Sequence, residues 1–147
     1  MLNGRHALNL DAKGRIAIPS RQREKLMASC EGRVVLTQYH LDPCLVLYPE
    51  HEWQKVAEKV AALKDANEGV RRLKRLFLGQ AVELELDGSG RILLPQELRS
   101  LVQLDKKAML IGLLNRFEIW NEETWAERNQ VDGLADELPQ EALDLSF

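Results

Sequence analysis

Leu8-Asn9-Leu10-Asp11-Ala12-Lys13-Gly14-Arg15-Ile16-Ala17-Ile18-Pro19 recurs 76 positions later as Leu84-Glu85-Leu86-Asp87-Gly88-Ser89-Gly90-Arg91-Ile92-Leu93-Leu94-Pro95, and Arg23 has its counterpart in Arg99. After a small deletion the likeness continues, with Tyr48 and Trp53 matching Trp120 and Trp125 at an offset of 72. The chain therefore holds two copies of one module. Each copy carries Asp-x-x-x-Arg on a glycine turn, so a pseudo-twofold surface would present the same two charged side chains twice. Such a surface suits a partner that is itself repetitive.

Within each copy the residue types predict a local order of elements. Leu8 and Leu10, like Leu84 and Leu86, alternate with polar residues as a half-buried strand does, and Arg15 to Ile18 and Arg91 to Leu94 read as the return strands of a hairpin. Asp11 and Gly14, like Asp87 and Gly90, make the turn between them: the carboxylate can accept backbone N–H groups two or more residues on, and glycine takes positive φ at no steric cost. Pro19 and Pro95 then end the strand, since proline cannot donate to a ladder, and a short helix follows over Ser20 to Leu26 and over Gln96 to Arg99. A second hairpin comes next, Arg33–Thr37 with Cys44–Tyr48 and Ala108–Gly112 with Arg116–Trp120.

Between the copies, Pro49 to Leu63 reads as helical, with Trp53, Val56, Val60 and Leu63 at spacings of three and four. Val70, Leu73, Leu76 and Phe77 mark a second helix surrounded by Arg71, Arg72, Lys74 and Arg75, which is either a phosphate-contacting face or a solvated one. The expected organisation is a first module at 5–52, a helical connector at 53–80, a second module at 81–124 and an acidic tail at 131–147, flexible or forming a short docking helix. A module of about 45 residues is close to the lower limit for a self-sufficient core. The copies should share one, within the chain or between chains.

The 147 residues are 45% apolar and 29% charged, without an apolar run long enough for a membrane span. Met1 to His6 lack the apolar core of a signal peptide, so the cytoplasm is the expected compartment. Cys30 and Cys44 have no CxxC spacing and no matching His pair; they should behave as free, small apolar residues, with no metal site. The net charge of −3 taken alone disfavours a nucleic-acid partner, but it is unevenly distributed. Nine acids against the single base Arg128 follow from Glu118 onward, leaving 19 bases and 14 acids in residues 1 to 117. A basic body with an acidic end suggests a polyanion partner for the body.

The twofold Asp-x-x-Gly-Arg-Ile-x-Ile/Leu-Pro pattern, Pro43-Cys44-Leu45-Val46-Leu47-Tyr48-Pro49, the segment Arg71 to Gly79 and the closing Phe117-Glu118-Ile119-Trp120 together resemble the MraZ family, bacterial transcriptional regulators encoded with cell-division and cell-wall genes. The resemblance spans nearly the whole chain and weakens in the tail. It implies an α+β, β-rich fold of two tandem AbrB-type swapped-hairpin modules with pseudo-twofold symmetry, ring-shaped homo-oligomers in the cytoplasm, associated with the nucleoid, and binding of double-stranded DNA at repeated promoter boxes through Asp11 to Arg15 and Asp87 to Arg91. The copies differ at one telling place, where Lys13 is matched by Ser89, so the two halves need not touch DNA equally.

Physical chemistry points the same way. An Arg fork binds guanine O6 and N7 bidentately or grips a phosphate, and an Arg borne on a turn projects to where a groove can receive it. The expected DNA contacts are thus Lys13, Arg15, Ser89 and Arg91, oriented by turns built on Asp11, Gly14, Asp87 and Gly90. For one copy alone, Asp and Arg could simply form an exposed turn salt bridge worth about 0–1 kcal/mol. Repetition with both glycines retained favours function. Enzyme readings are weaker: Gly88-Ser89 is the dipeptide that self-cleaves in pyruvoyl decarboxylases of related β architecture, but the first copy has Ala12-Lys13 there. His6, His40 and His51 fit no triad or ligand spacing, and neither GxGxxG nor a P-loop occurs, so no catalysis, cofactor or small-molecule substrate is expected. A protein-binding ring scaffold using the acidic tail and Trp125 remains the alternative.

Overall fold

In a computed structural model covering residues 1–147, the first copy runs β1 (Leu2–Asn9), β2 (Arg15–Ala17), α1 (Ser20–Cys30), β3 (Arg33–Gln38) and β4 (Leu45–Pro49). The connector is a helical pair, α2 (Glu50–Ala61) and α3 (Glu68–Phe77). The second copy repeats the order as β5 (Val82–Glu85), β6 (Arg91–Leu93), α4 (Gln96–Leu101), β7 (Lys107–Leu114) and β8 (Phe117–Asn121), closed by α5 (Glu122–Arg128). Two exposed single-turn helices, α6 (Leu134–Glu137) and α7 (Gln140–Leu143), make up the tail. No helix is long and apolar enough to cross a membrane.

The strand pairing overturns the simple hairpin expected for residues 8 to 18. β2 does not fold back on β1 but pairs antiparallel with β6, Ile16 facing Ile92 across the pair, in a separate two-stranded ribbon. β1 pairs instead with β7 of the other copy, from Leu2 opposite Leu114 to Asn9 opposite Lys107, and β5 pairs with β3. The result is a six-stranded sheet in the order β1-β7-β8-β4-β3-β5, with each copy's first strand completing the other copy's hairpin. Burial explains the exchange. A three-residue strand cannot hide an isoleucine in a lone hairpin, whereas on the ribbon Ile16 and Ile92 are 0% and 1% exposed.

The halves share one core, as their size required. Ile16, Ile18, Leu26, Leu45 and Leu47 from the first copy join Ile92, Leu94, Leu98, Leu110 and Phe117 from the second in a single buried cluster. Side chains alternate across a strand, so β4 turns Leu45 and Leu47 towards the ribbon while Val46 and Tyr48 face the opposite side, packed with Phe77 of α3 and Trp53 of α2. The ribbon and the connector helices therefore cover opposite faces of the sheet. Cys30 and Cys44 are buried and unpaired, and burial first, then the Glu118 carboxylate, pushes the Cys44 thiol pKa far up. Both cysteines are packing residues.

The basic helix α3 is largely committed to its own connector. Arg71 Nη1 donates to the carbonyls of Asp65 and Ala66 at 2.9 and 3.1 Å, while Lys74 Nζ donates to those of Ala61 and Leu63 at 3.0 and 2.7 Å. These cations satisfy carbonyls left open at the end of α2 and in the link after it, which helix ends require. Arg72 and Arg75 stay exposed, but on the sheet face away from the ribbon.

Candidate nucleic-acid interface

Both glycine turns are built alike. Asp11 Oδ1 accepts the amides of Lys13 and Arg15, each at 2.9 Å, while Oδ2 accepts Arg15 Nε at 2.7 Å. Asp87 repeats the pattern with the amides of Ser89 and Arg91, each at 2.9 Å, and Arg91 Nε at 3.1 Å. The carboxylate thus folds the turn with one oxygen and aims the guanidinium with the other. Each Arg is held through Nε, and the side chains of Arg15 and Arg91 remain 27% and 36% exposed.

The ribbon brings the two turns together. In its register Arg15 lies opposite Leu93 and Ala17 opposite Arg91, so with Ile16 and Ile92 pointing inward these four residues form the outward row. Arg91 Nη1 also stands 4.0 Å from Asp11 Oδ2, an ion pair that links the copies. Lys13 and Ser89 sit at the turn tips with their amides bound to Asp and their side chains exposed.

A second pair of arginines crosses between copies. The backbone of Gly90 accepts Ile18 N at 2.9 Å and that of Gly14 accepts Leu94 N at 3.0 Å. Over these exchanged strands lie the exchanged side chains: Arg23 of α1 donates to Ser89 O at 2.8 Å and covers Gly90, while Arg99 of α4 donates through Nε to Leu94 O at 2.8 Å and covers Gly14. Gly14 and Gly90 have φ of 85° and 73°, and a Cβ at Gly14 would lie 2.7 Å from the Arg99 guanidinium carbon. Glycine is needed at both places for its backbone angle, and the arginine laid over it occupies the space a Cβ would take. The repeat made Arg23 and Arg99 visible in the sequence, but nothing local assigned them to each other's turn.

These contacts hold both aspartates in the ionised form. Asp11 is lowered to about 2, chiefly because its carboxylate accepts the Arg15 amide; desolvation opposes this, and the Arg15 side chain and the Lys13 amide add to the lowering. Asp87 is lowered mainly by the Arg91 amide, with a longer bond to its arginine, 3.1 Å against 2.7 Å for Asp11. Folding depresses the carboxyl pKa, so the contribution of the turn is complete above the ordinary value of 3.8 and is lost as pH falls from there through about 2. A carboxyl NMR titration should place the Asp11 midpoint near 2, and a midpoint near 4 would show that the lock does not form.

Fold and site together define a duplicated, strand-exchanged protein whose short ribbon displays two clamped arginines. A family model described as "MraZ protein, putative antitoxin-like" matches residues 1–76 and again 77–140. A transcriptional regulator MraZ of Alcanivorax borkumensis is 53% identical over 149 residues, spanning all of both chains. Another from Saccharophagus degradans is 50% identical over 148 residues, again spanning both, and one from Pseudomonas putida strain F1 is 48% identical over 139 residues, covering 95% of this chain and 92% of its own. The chain belongs to the MraZ family.

Proposed function

We propose that this protein is a sequence-specific, DNA-binding transcriptional regulator that inserts the β2–β6 ribbon into the major groove. The observation that carries this is the outward row in which Arg15 and Arg91, each clamped by its own aspartate, are repeated about the centre of the ribbon. A two-stranded ribbon fits a major groove about 12 Å wide, and a pre-aimed Arg fork matches guanine O6 and N7. The relatives' name, transcriptional regulator, supports the reading. Within it, Arg15 and Arg91 read base edges, Lys13 adds a phosphate contact that Ser89 can make only as a neutral donor, and Asp11, Asp87, Gly14 and Gly90 shape the turns.

The finer reading has copies of the chain arranged in a ring, so that several ribbons meet repeated promoter boxes of cell-division and cell-wall genes, in the cytoplasm at the nucleoid and without a cofactor. Many weak contacts linked in one assembly reach high overall affinity. Selection of bound fragments from a genomic library tests it. The expected result is enrichment of a few promoter fragments carrying a short box repeated at constant spacing. No enrichment over random fragments would remove the regulator reading, and a compact monomer in sedimentation velocity would remove the ring.

A further inference from the structure

Although the backbone of the two turns is near symmetric, the residues flanking them are not. β7 begins beside the first turn: Lys107 lies opposite Asn9, and the carbonyl of Lys106 accepts Leu10 N at 2.8 Å. The equivalent place beside the second turn is the start of β3, where Arg33 lies opposite Glu85 and the carbonyl of Gly32 accepts Leu86 N at 3.0 Å. Lys106 and Lys107 thus correspond to Gly32 and Arg33.

The charges at these matched places differ in number and in freedom. Arg33 is spent on acids, with Nη2 2.9 Å from Glu31 and Nε 3.3 Å from Glu50, and its strand partner is another acid, Glu85. Lys106 and Lys107 are exposed and take part in none of the ion pairs, and the strand partner of Lys107 is the neutral Asn9. They line an open cleft of about 490 Å³ that includes Asp11, Ala12 and Arg99, with Asp105 its second acid. Lys13, at the tip of the same turn, adds a further exposed cation where the second turn has Ser89. The first side thus concentrates positive charge, and the second side is neutral to acidic.

We propose that Lys106 and Lys107 form a DNA-backbone seat that only the first side of the ribbon possesses, since Arg99 beside them is matched by Arg23 over the second turn. The proposal rests on the DNA-binding reading above and gives it a polarity. With the ribbon in the groove, one flank of the module grips phosphates while the other approaches the duplex without a matching cationic seat. The pseudo-twofold module therefore binds each box in one preferred orientation. The seat is built by strand exchange, because its lysines come from the second copy and its turn from the first.

Salt dependence of binding tests this on the full-length protein, with the selected operator duplex and a scrambled duplex of equal length. Removing n phosphate contacts flattens the slope of log K against log salt by about 0.9n. Lys106→Ala/Lys107→Ala should flatten the slope and weaken both duplexes by the same factor, since phosphate contacts carry no sequence information. Lys106→Gln/Lys107→Gln should do the same with the stems retained, and Arg33→Ala should leave the slope as in the wild type. An unchanged slope in both lysine variants, or an equal change in Arg33→Ala, overturns the seat. Arg15→Ala separates the two levels: if it loses the operator while the lysine variants bind as wild type, the seat alone is wrong, and if it binds the operator as wild type, the DNA-binding reading falls and the seat with it.

Discussion

Arg15→Ala should lose operator binding while the protein keeps its fold and assembly. Each bidentate Arg–guanine contact is worth about 1–3 kcal/mol of discrimination, or roughly 5- to 150-fold in affinity. The substitution removes that contact from every chain of an assembly at once. Several subunits bound to adjacent boxes multiply the loss, which should carry the operator affinity down to the level of scrambled DNA. Arg15→Lys should rescue little, because an ammonium cannot reproduce the fork that Asp11 aims through Nε at 2.7 Å. The side chain of Arg15 is outside the core, so thermal stability and sedimentation should stay as in the wild type. Operator affinity equal to wild type in an intact assembly would end the assignment of the ribbon as the reading head.

Gly112→Ala should produce the largest loss of stability among conservative single changes in the strands. Gly112 lies in the middle of β7, opposite Gly4 of β1, and a Cβ there would fall on the backbone N, Cα and C of Asn3. A side chain can move aside, but a strand's backbone cannot without opening its ladder. Overpacking of this kind costs about 1–3 kcal/mol and sometimes more, which lowers Tm by roughly 3–12 °C in a domain of this size. Gly88→Ala is the internal control, since a Cβ at Gly88 meets nothing within 4 Å. Equal melting temperatures for the two variants would show that β1 sits more loosely on β7 than the geometry requires.

What the sequence made legible was local. The Asp11–Arg15 and Asp87–Arg91 clamps lie within four residues and follow from turn chemistry alone, and both second hairpins formed at the apolar segments expected to make them. Element ends shifted by small amounts for local reasons: α1 runs on past Leu26 to Cys30, stopping at Glu31 and Gly32, both at positive φ, and α2 starts after Pro49 as a proline-led helix does. Partner choice was not legible. Ile16 and Ile18 show the same alternation whether β2 pairs with β1 or with β6, and only the burial of Ile16 against Ile92 decides. Arg71 is spent on carbonyls of its own link, five and six residues back, while the bond of Lys74 to Ala61, the covering of Gly90 by Arg23 and of Gly14 by Arg99, and the placing of Lys107 opposite Asn9 come from contacts farther along the chain.

The exchange of first strands also sets a timetable for the protein's birth. β1 leaves the ribosome early, but its partner Lys107–Leu114 is made some hundred residues later, and the outer edge of β3 waits likewise for Val82–Glu85. At about 5–20 residues per second the first strand spends roughly 5–20 s without its ladder. During that interval the nascent chain exposes an unpaired β edge, the feature most apt to recruit a neighbouring copy. On a crowded polysome the nearest strand of matching register belongs to another nascent chain of the same message. The polar and charged residues Asn3, Arg5, His6 and Asn9 along β1 make that early strand a poor template for aggregation while it waits.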